Sequence, residues 1–378
     1  MIFLSNLKKE DLFLFVVFIV ITLAAIFKSY FNFDGYISPD SGYYLALAEH
    51  LKNADGFLIS AYEYQGEKNE YFAIWPVGYP VLITVVSILT GTSVFWASKI
   101  LNIILIGFLF LLLRSLFKNN AYIYSLIFFF SSYLEIVSFT WSENLFLLSM
   151  IFFGYSINRL IISTKSLQIS FILILLSSML LFLARYIGVF SLGVLFWIYI
   201  YFSYLKIDKK KANVILFVFL FNTFFILLYF YNNYLQTEFI TGINKSYSAE
   251  SNIELIKMLL GALFAELLIP VHTIHSVESK YLSYIFMTFQ FLIVFFIFFK
   301  FWKSINNFLK KKKIPIISIV FSLIGLTYLI FVIISRWIMH FDNFGYRLLS
   351  PGMLMLYIAV ISYLFQTNST KIKKVFLI

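Results

Sequence analysis

The amino-acid sequence predicts an all-α fold, a polytopic transmembrane helical bundle of about ten or eleven spans in which residues 1–378 form one membrane domain. Of its 378 residues, 61% are hydrophobic and 12% are charged, whereas a soluble domain carries roughly a quarter charged residues. The apolar residues run in long blocks without alternating polar residues, which excludes a transmembrane β-barrel. Because the chain has no cysteine, disulfides, thiolate catalysis and cysteine-ligated metals are excluded as well.

Eleven apolar blocks have about the length that a helix needs to cross a bilayer. They are centred near residues 11–27, 75–90, 97–117, 121–139, 142–162, 167–184, 186–205, 212–231, 281–301, 314–335 and 350–366. The first block follows Lys8 and Lys9, and no small-residue cleavage site comes after it. We therefore expect a retained first span and not a cleaved signal peptide.

The basic residues predict the orientation of these spans. Lysines cluster beside apolar blocks at Lys8 and Lys9, at Lys206 and Lys209 to Lys211, at Lys303 and Lys310 to Lys313, and at Lys371, Lys373 and Lys374. Cytoplasmic loops of membrane proteins carry such an excess of lysine and arginine, and anionic lipids attract it. The formal charge of +11 therefore indicates membrane lipid as a partner, and not nucleic acid. We expect both termini on the cytoplasmic side of the plasma (inner) membrane.

Two polar segments, 28–74 and 232–280, contain twelve of the eighteen acidic residues. If the lysine clusters are cytoplasmic, these segments are the first and second extracytoplasmic loops, and the first is the expected catalytic loop. A cytoplasmic N-terminus and a cytoplasmic 206–211 cluster require an even number of crossings, but seven blocks lie between them. One block therefore does not span alone. Block 75–90, which lies between Pro76 and Gly91, is the favoured candidate, and the pair split at Arg185 is the alternative.

The segment 38–51 predicts an amphipathic helix at the membrane interface. Ser38 is suited to the N-cap and Pro39 to the first helical position. An apolar stripe follows at helical spacing, formed by Tyr44, Leu47, Ala48 and Leu51. Asp40 lies in the first turn, where its carboxylate either complements the helix dipole or acts as a general base.

Several motifs, taken in order, resemble one family. The first span is followed by Pro-Asp-Ser at residues 39–41, with Tyr44 and Ala48, and then by Trp75 and the Pro-x-Gly-Tyr-Pro of residues 76–80. Further matches are Ser-Glu-Asn-Leu-Phe at 142–146, Ala-Arg-Tyr-Ile-Gly at 184–188 and Tyr-Arg-Leu-Leu-Ser-Pro at 346–351. Together they resemble the integral-membrane GT-C glycosyltransferases that use polyprenyl-phosphate sugars, such as protein O-mannosyltransferases and lipid A aminoarabinose transferases. The last third of the chain is the least clearly covered.

The resemblance implies transfer of one sugar from a polyprenyl-phosphate carrier to a lipid, glycan or protein acceptor on the extracytoplasmic face. Asp40 matches the family's first-loop aspartate, and in that role it would deprotonate the acceptor as the lipid phosphate leaves, usually with inversion. The family often has two adjacent acids in this loop, whereas Ser41 follows Asp40 here. A second carboxylate would then come from Asp34 or from a later acid.

A departing phosphate requires cationic or hydrogen-bonding groups. The candidates are Arg185 and Arg347, with Tyr346 and Tyr79 as further groups that would hold the phosphate. Each arginine has the alternative explanation of a residue that snorkels to the interface. Glu143 could orient either arginine or could be an ordinary acid at a helix start.

Aromatic and histidine side chains outside the spans could contact sugar or acceptor. We assign this expectation to Tyr43, Tyr44, Trp75 and His340, although aromatic side chains also anchor loops at the interface. The spacing of His272 and His275, near Glu266 and Glu278, permits metal binding. Pro270 and the missing third ligand instead favour two histidines in a loop that contact lipid headgroups or substrate. No cofactor is predicted. Some members of the family use a divalent metal and others do not, and the sequence does not distinguish these two possibilities.

Two other classes compete with a transferase. A flippase or secondary transporter for a lipid-linked glycan would place charged or broken helices in paired halves, whereas the polar residues here concentrate in two outer loops, which favours an enzyme. A polymerase or ligase of lipid-linked oligosaccharides would use a pyrophosphate-linked donor. The sequence contains no nucleotide-binding glycine motif, so ATP-driven transport has no support.

Overall fold

The structure of the chain is a computed structural model that describes residues 8–63, 66–162, 166–204, 208–266, 292 and 314–367. Its α-helices are α1 (Lys9–Phe31), α2 (Pro39–Lys52), α3 (Gly78–Thr90), α4 (Val94–Phe117), α5 (Ala121–Ser125), α6 (Ser131–Ser138), α7 (Glu143–Ile162), α8 (Leu167–Ala184), α9 (Phe190–Tyr204), α10 (Lys209–Thr237), α11 (Asn252–Glu266), α12 (Ile316–Ile338) and α13 (Tyr346–Thr367). In the described residues, eight helical segments are long and apolar enough to cross a membrane. The predicted all-α, multi-pass bundle is confirmed.

Block 75–90 contains a helix that is too short to cross alone. α3 has 13 residues, which corresponds to about 20 Å, against about 30 Å for the hydrocarbon core. It packs on α2, where Thr84 Oγ1 donates to the carbonyl of Ala48 over 3.1 Å. At its end, Ser87 Oγ donates to the carbonyl of Thr92 over 2.6 Å. This geometry supports the prediction that this block is the one that does not span.

Block 121–139 is not one helix but three short pieces. α5 is followed by a 3-10 turn at Leu126–Phe129, and Phe130 has an extended backbone before α6 begins. The pieces run alongside α1, because Tyr122 contacts Phe13 at one end and Ser29 Oγ donates to the carbonyl of Ser138 at the other. The segment therefore runs the length of α1 as a broken rod. Serine hydroxyls such as Ser125 Oγ, which bonds the Tyr122 carbonyl, compete with the regular helical pattern.

The passes place the first two lysine clusters at the same end of the bundle. α1 and α4 are antiparallel, since Asp11 near the start of α1 pairs with Arg114 near the end of α4. Six passes separate Lys9 from Lys209: α1, α4, the α5–α6 rod, α7, α8 and α9. We call this end the lysine end and the opposite one the site end. Lys206, Lys303, Lys310 to Lys313, Lys371, Lys373, Lys374 and block 281–301 lie outside the described residues.

Both polar segments are shorter than predicted, and the first also contains a β-hairpin. α1 extends to Phe31 and α10 to Thr237, so residues 28–31 and 232–237 belong to helices and not to loops. The predicted α2 is present with Tyr44, Leu47 and Ala48 buried. The segment also contains an antiparallel hairpin of β1 (Leu58–Glu63) and β2 (Gly66–Tyr71), which we did not predict because the mostly polar β2 lacks alternating apolar residues.

A glycine in one of the matched motifs brings distant segments together. A Cβ on Gly78 would lie 2.5 Å from the carbonyl oxygen of Leu183, which no other residue could accommodate without movement. The first turn of α3 therefore packs directly on the end of α8, beside Arg185. This contact holds the short helix and the arginine at the site end.

Candidate active site

Five charged side chains meet at the site end of the bundle. They are Asp40 of α2, Glu143 of α7, Arg185 after α8, and Asp342 and Arg347 around the start of α13. Four separate parts of the chain supply them. The sequence singles out five charged residues for catalytic and phosphate-binding roles, and the structure brings four of them together. These four are Asp40, Glu143, Arg185 and Arg347.

The first turn of α2 positions Asp40. The Ser38 hydroxyl caps the helix by accepting from the Ser41 amide, and the Ser41 hydroxyl accepts in return from the Ser38 amide. Pro39 occupies the first helical position, where its missing N–H costs nothing. The Asp40 side chain, 22% exposed, forms an ion pair with Arg347, with Oδ2 2.5 Å from Nη2. Its carboxylate is therefore both held by an arginine and accessible.

Glu143 is the buried centre of the cluster. It begins α7, its side chain is 0% exposed, and its Oε1 pairs with both Arg185 and Arg347. A buried carboxylate is tolerated only when it is well paired, and two guanidiniums supply that pairing. Glu143 Oε2 accepts no hydrogen bond from the described residues. The two arginines thus converge on one oxygen, although they lie 162 positions apart in the sequence.

Arg347 is fixed on a second side by an aromatic ring. Its guanidinium carbon lies 4.5 Å from the centre of the Trp141 ring, and Nη1 lies 3.4 Å from Asp342 Oδ2. Trp141 in turn donates through Nε1 to the Ser38 hydroxyl over 2.7 Å. A stack of this kind orients the guanidinium plane. Trp141 therefore couples the cap of α2, and with it Asp40, to Arg347.

The tyrosines predicted for the site differ in their burial and in the residues that they contact. Tyr44 is buried, and its hydroxyl hydrogen bonds with that of Ser142 over 2.9 Å. Burial raises the pKa of the Tyr44 phenol above its usual range, so it stays protonated and does not serve as a base. Tyr79 is also buried, but its hydroxyl donates to Asn102 over 2.8 Å and so serves the contact between α3 and α4. Tyr346 lies beside Trp141, and Tyr43 is exposed on α2.

The structure does not bring the remaining predicted residues into the cluster. Asp34 is exposed in the turn after α1, and among the described residues its carboxylate has no ion pair. Trp75 is half-buried with an indole N–H that has no partner in the described part of the chain. His340 lies with Nδ1 3.2 Å from Glu250 Oε1, in a neighbouring group of charges.

That neighbouring group is built on Arg336, which sequence reasoning missed. Arg336 is fully buried, its Nη2 donates to Glu250 Oε1 over 2.6 Å, and its Nε donates to the backbone carbonyl of Asp342 over 3.2 Å. Hydrogen bonds from Arg336 and Ser248 hold the pKa of Glu250 at about 2. An arginine in the last turn of an apolar span is a signal that it needs an anion. Trp141 carried no comparable signal.

No metal centre is evident in the ranges that the structure covers, where no group of three or more His, Cys, Asp or Glu side chains is placed to hold an ion. His272, His275 and Glu278 lie outside these ranges, as does the side chain of Glu266. The site itself is built from charged residues. It combines a partly exposed carboxylate with two guanidiniums that can bind an anion.

Arg347 has N–H donors that the described carboxylates do not engage. A guanidinium carries five N–H groups, and the described carboxylates engage Nε, Nη1 and Nη2 once each. Two N–H groups of this 16% exposed side chain are therefore left over. The three carboxylates of the cluster outnumber its two guanidiniums, so an incoming anion competes with Asp40 and Asp342 for Arg347.

No family model matches the sequence, and no curated protein matches it either. Two solved structures are similar: ArnT from Cupriavidus metallidurans bound to undecaprenyl phosphate, and the same protein in the apo state. The TM-scores are 0.57 and 0.54, with 14% identity over 91% of this chain in both. The chain covers 59% and 58% of those ArnT chains, or about three fifths of their length. ArnT is a lipid A aminoarabinose transferase of the GT-C class, and the similarity shows that this chain has a GT-C-like fold.

Proposed function

We propose that the chain is a membrane glycosyltransferase that transfers a sugar from a polyprenyl-phosphate carrier to an acceptor. The observation that carries the proposal is the convergence of Asp40, Arg185 and Arg347 around the buried Glu143. The GT-C-like fold supports it, and so does the undecaprenyl phosphate bound by one of the similar structures. The site end would face away from the cytoplasm, because the lysine end carries the basic clusters that favour the cytoplasmic side.

In the proposed reaction, an acceptor hydroxyl or amine attacks the anomeric carbon of the sugar. The new bond to that carbon forms while its bond to the phosphate oxygen breaks, and the phosphate leaves with the electron pair. Asp40 takes the proton of the acceptor, which its exposure and its place at the rim of the cluster permit. We expect inversion at the anomeric carbon, because the acceptor attacks opposite to the leaving phosphate.

The two arginines would stabilise the negative charge that develops on the phosphate. Glu143 pairs with both guanidiniums, and this pairing would orient their N–H donors toward the same phosphate. It is therefore a positioning residue, and we do not propose that it transfers a proton, because its side chain is fully buried. Asp342 and Trp141 hold Arg347 from the remaining sides.

The test is release of the lipid phosphate by the purified protein. A panel of synthetic polyprenyl-phosphate sugars is incubated with the protein and mixed acceptors, and free polyprenyl phosphate and glycosylated product are measured by mass spectrometry. We expect both products in equal amounts from at least one donor. Movement of the intact donor across a liposome membrane without release of lipid phosphate would identify a flippase instead. Reaction only with a pyrophosphate-linked donor would identify a polymerase or ligase.

A further inference from the structure

An apolar groove opens at the lysine end, far from the charged cluster. It lies between the first halves of α8 and α10, has a cavity volume of about 880 Å³, and is lined by Phe171, Val214, Phe217, Phe221 and Phe224, among others. At the deep end of the groove, near Phe224, the two helices contact each other where Asn222 Nδ2 donates to Ser178 Oγ over 2.9 Å. This contact bounds the groove on the side of the active site, and the lining begins at Leu167 and Val214, near the lysine end of each helix.

Lysine side chains stand at the open end of this groove. Lys210, Val214, Phe217, Phe221 and Phe224 follow one another at intervals of four and three residues, so they lie on one face of α10. Lys210 therefore continues the stripe that lines the groove, one turn nearer to the helix start. Lys209 beside it is also exposed. The next lysine differs, because Lys211 is buried and its Nζ donates to the carbonyl of Ile161 over 2.9 Å.

The length of the groove matches one leaflet. Twelve residues separate Lys210 from the helix contact at Asn222, and at 1.5 Å per residue this corresponds to about 18 Å. Half of the hydrocarbon core is about 15 Å thick. An acyl chain that fills the groove would therefore place its headgroup at the level of Lys209 and Lys210.

We propose that this groove binds an anionic phospholipid of the leaflet at the lysine end, independently of the transfer reaction. One acyl chain packs between the phenylalanines of α8 and α10. The anionic headgroup lies at Lys209 and Lys210, whose charge complements it. A zwitterionic lipid with the same chains would fit the groove but would gain less from the two lysines.

The test is the lipid selectivity of the full chain. The purified protein in detergent is given equimolar dioleoyl phosphatidylglycerol and dioleoyl phosphatidylcholine, and bound lipid is counted by native mass spectrometry. We expect phosphatidylglycerol to be preferred in the wild type. Lys210→Glu should lower its retention at least about fivefold, since each lysine near a membrane surface contributes about 1 kcal/mol. Val214→Trp, which fills the groove, should lower retention of both lipids.

A matched control is Lys9→Glu, which makes the same charge change at an exposed position at the same end. It should leave the preference unchanged. The proposal is overturned if Lys210→Glu and Lys9→Glu have equal effects, since the selectivity would then come from general surface charge. It is also overturned if Val214→Trp retains phosphatidylglycerol like the wild type, or if equimolar polyprenyl phosphate displaces it completely, which would assign the groove to the carrier.

Discussion

Two arginines at the site end, Arg336 and Arg347, have the same charge but different surroundings. Arg336 is fully buried, and its three nitrogens contact Glu250, Ser248, Asn343 and the backbone of Asp342. Arg347 lies at the rim, where Nη1 and Nη2 each meet one carboxylate. Arg336 has its hydrogen-bonding capacity filled by the protein itself. Arg347 keeps capacity for a further anion.

This difference distinguishes the structural role of Arg336 from the candidate ligand-binding role of Arg347. Arg336 holds together the loop before α11 and the loop that carries Asp342, and a β-bridge between Tyr247 and Met339 strengthens the same connection. A buried arginine of this kind is costly unless every donor is paired. Arg347 and Arg185 instead share one carboxylate oxygen of Glu143, and an anion that displaces Asp40 or Asp342 would contact Arg347 in its place. The predictions below test whether the two groups have different roles.

The largest expected effect is that of Asp40→Asn. The amide cannot take up the proton of the acceptor, so turnover should fall by about 100- to 10,000-fold, whereas folding should change little. The measurement is the rate of lipid phosphate release under saturating donor. Asp34→Asn is the matched control, because Asp34 lies in the same segment but outside the cluster, and it should retain normal turnover. Near-normal turnover of purified Asp40→Asn would remove Asp40 from the mechanism.

The next effect is that of Arg185→Ala and Arg347→Ala. Loss of one charged partner of the leaving phosphate should cost about 2–4 kcal/mol in transition-state stabilisation, or roughly 30- to 1000-fold in rate. Lysine at either position should recover little, since an ammonium lacks the planar, bidentate donor geometry. Turnover against donor concentration is measured for both single variants and the double variant. Unchanged turnover and donor affinity in both single variants would make the arginines interface anchors.

Substitutions in the Arg336 group should affect stability more than chemistry. Glu250→Gln removes the anion opposite a buried arginine, so the protein should unfold at a temperature several degrees lower at neutral pH. The pKa of Glu250 is lowered to about 2 by its hydrogen bonds. Its contribution to stability is therefore complete above its ordinary pKa and is lost as the pH falls toward about 2. Thermal unfolding measured at about pH 6 and pH 3 should show a smaller acid loss in Glu250→Gln than in the wild type.

The smallest effect is expected for Asp342→Asn. Asp342 is half-exposed and competes for Arg347 Nη1, so its neutralisation should favour an incoming phosphate. KM for the donor should fall by about threefold while kcat stays within a factor of two, because a contact near a surface contributes about 0.2–1 kcal/mol. Steady-state kinetics measure both values. A large fall in kcat would show that Asp342 acts in the reaction and not as a competitor.

The sequence alone predicted the fold class and singled out four of the five charged residues that lie together in the cluster. Block length and hydropathy are local properties that a single segment displays, and so is the capped, proline-initiated start of α2. The expected α2 and the long apolar spans are accordingly present. Asp40 was singled out by its place in the first helical turn and by the family resemblance. Glu143, Arg185 and Arg347 were singled out by the matched motifs, and the two arginines also by the phosphate that the resemblance implies. The roles proposed for these four residues, as general base, positioning residue and phosphate ligands, stay predictions.

Only the tertiary structure decided which of these charges meet. Glu143 lies between Arg185 and Arg347 because α7 and α13 begin, and α8 ends, at the same face of the bundle. The order of residues along the chain does not state which helix termini are neighbours. The structure leaves Asp34 outside the cluster and places Trp141 against Arg347. It also pairs Arg336, in the neighbouring group, with Glu250, which lies 86 positions away along the chain. Long-range pairing depends on packing of the whole bundle. A local pattern of apolar and charged residues cannot specify it, because many arrangements of the same helices satisfy that pattern equally well.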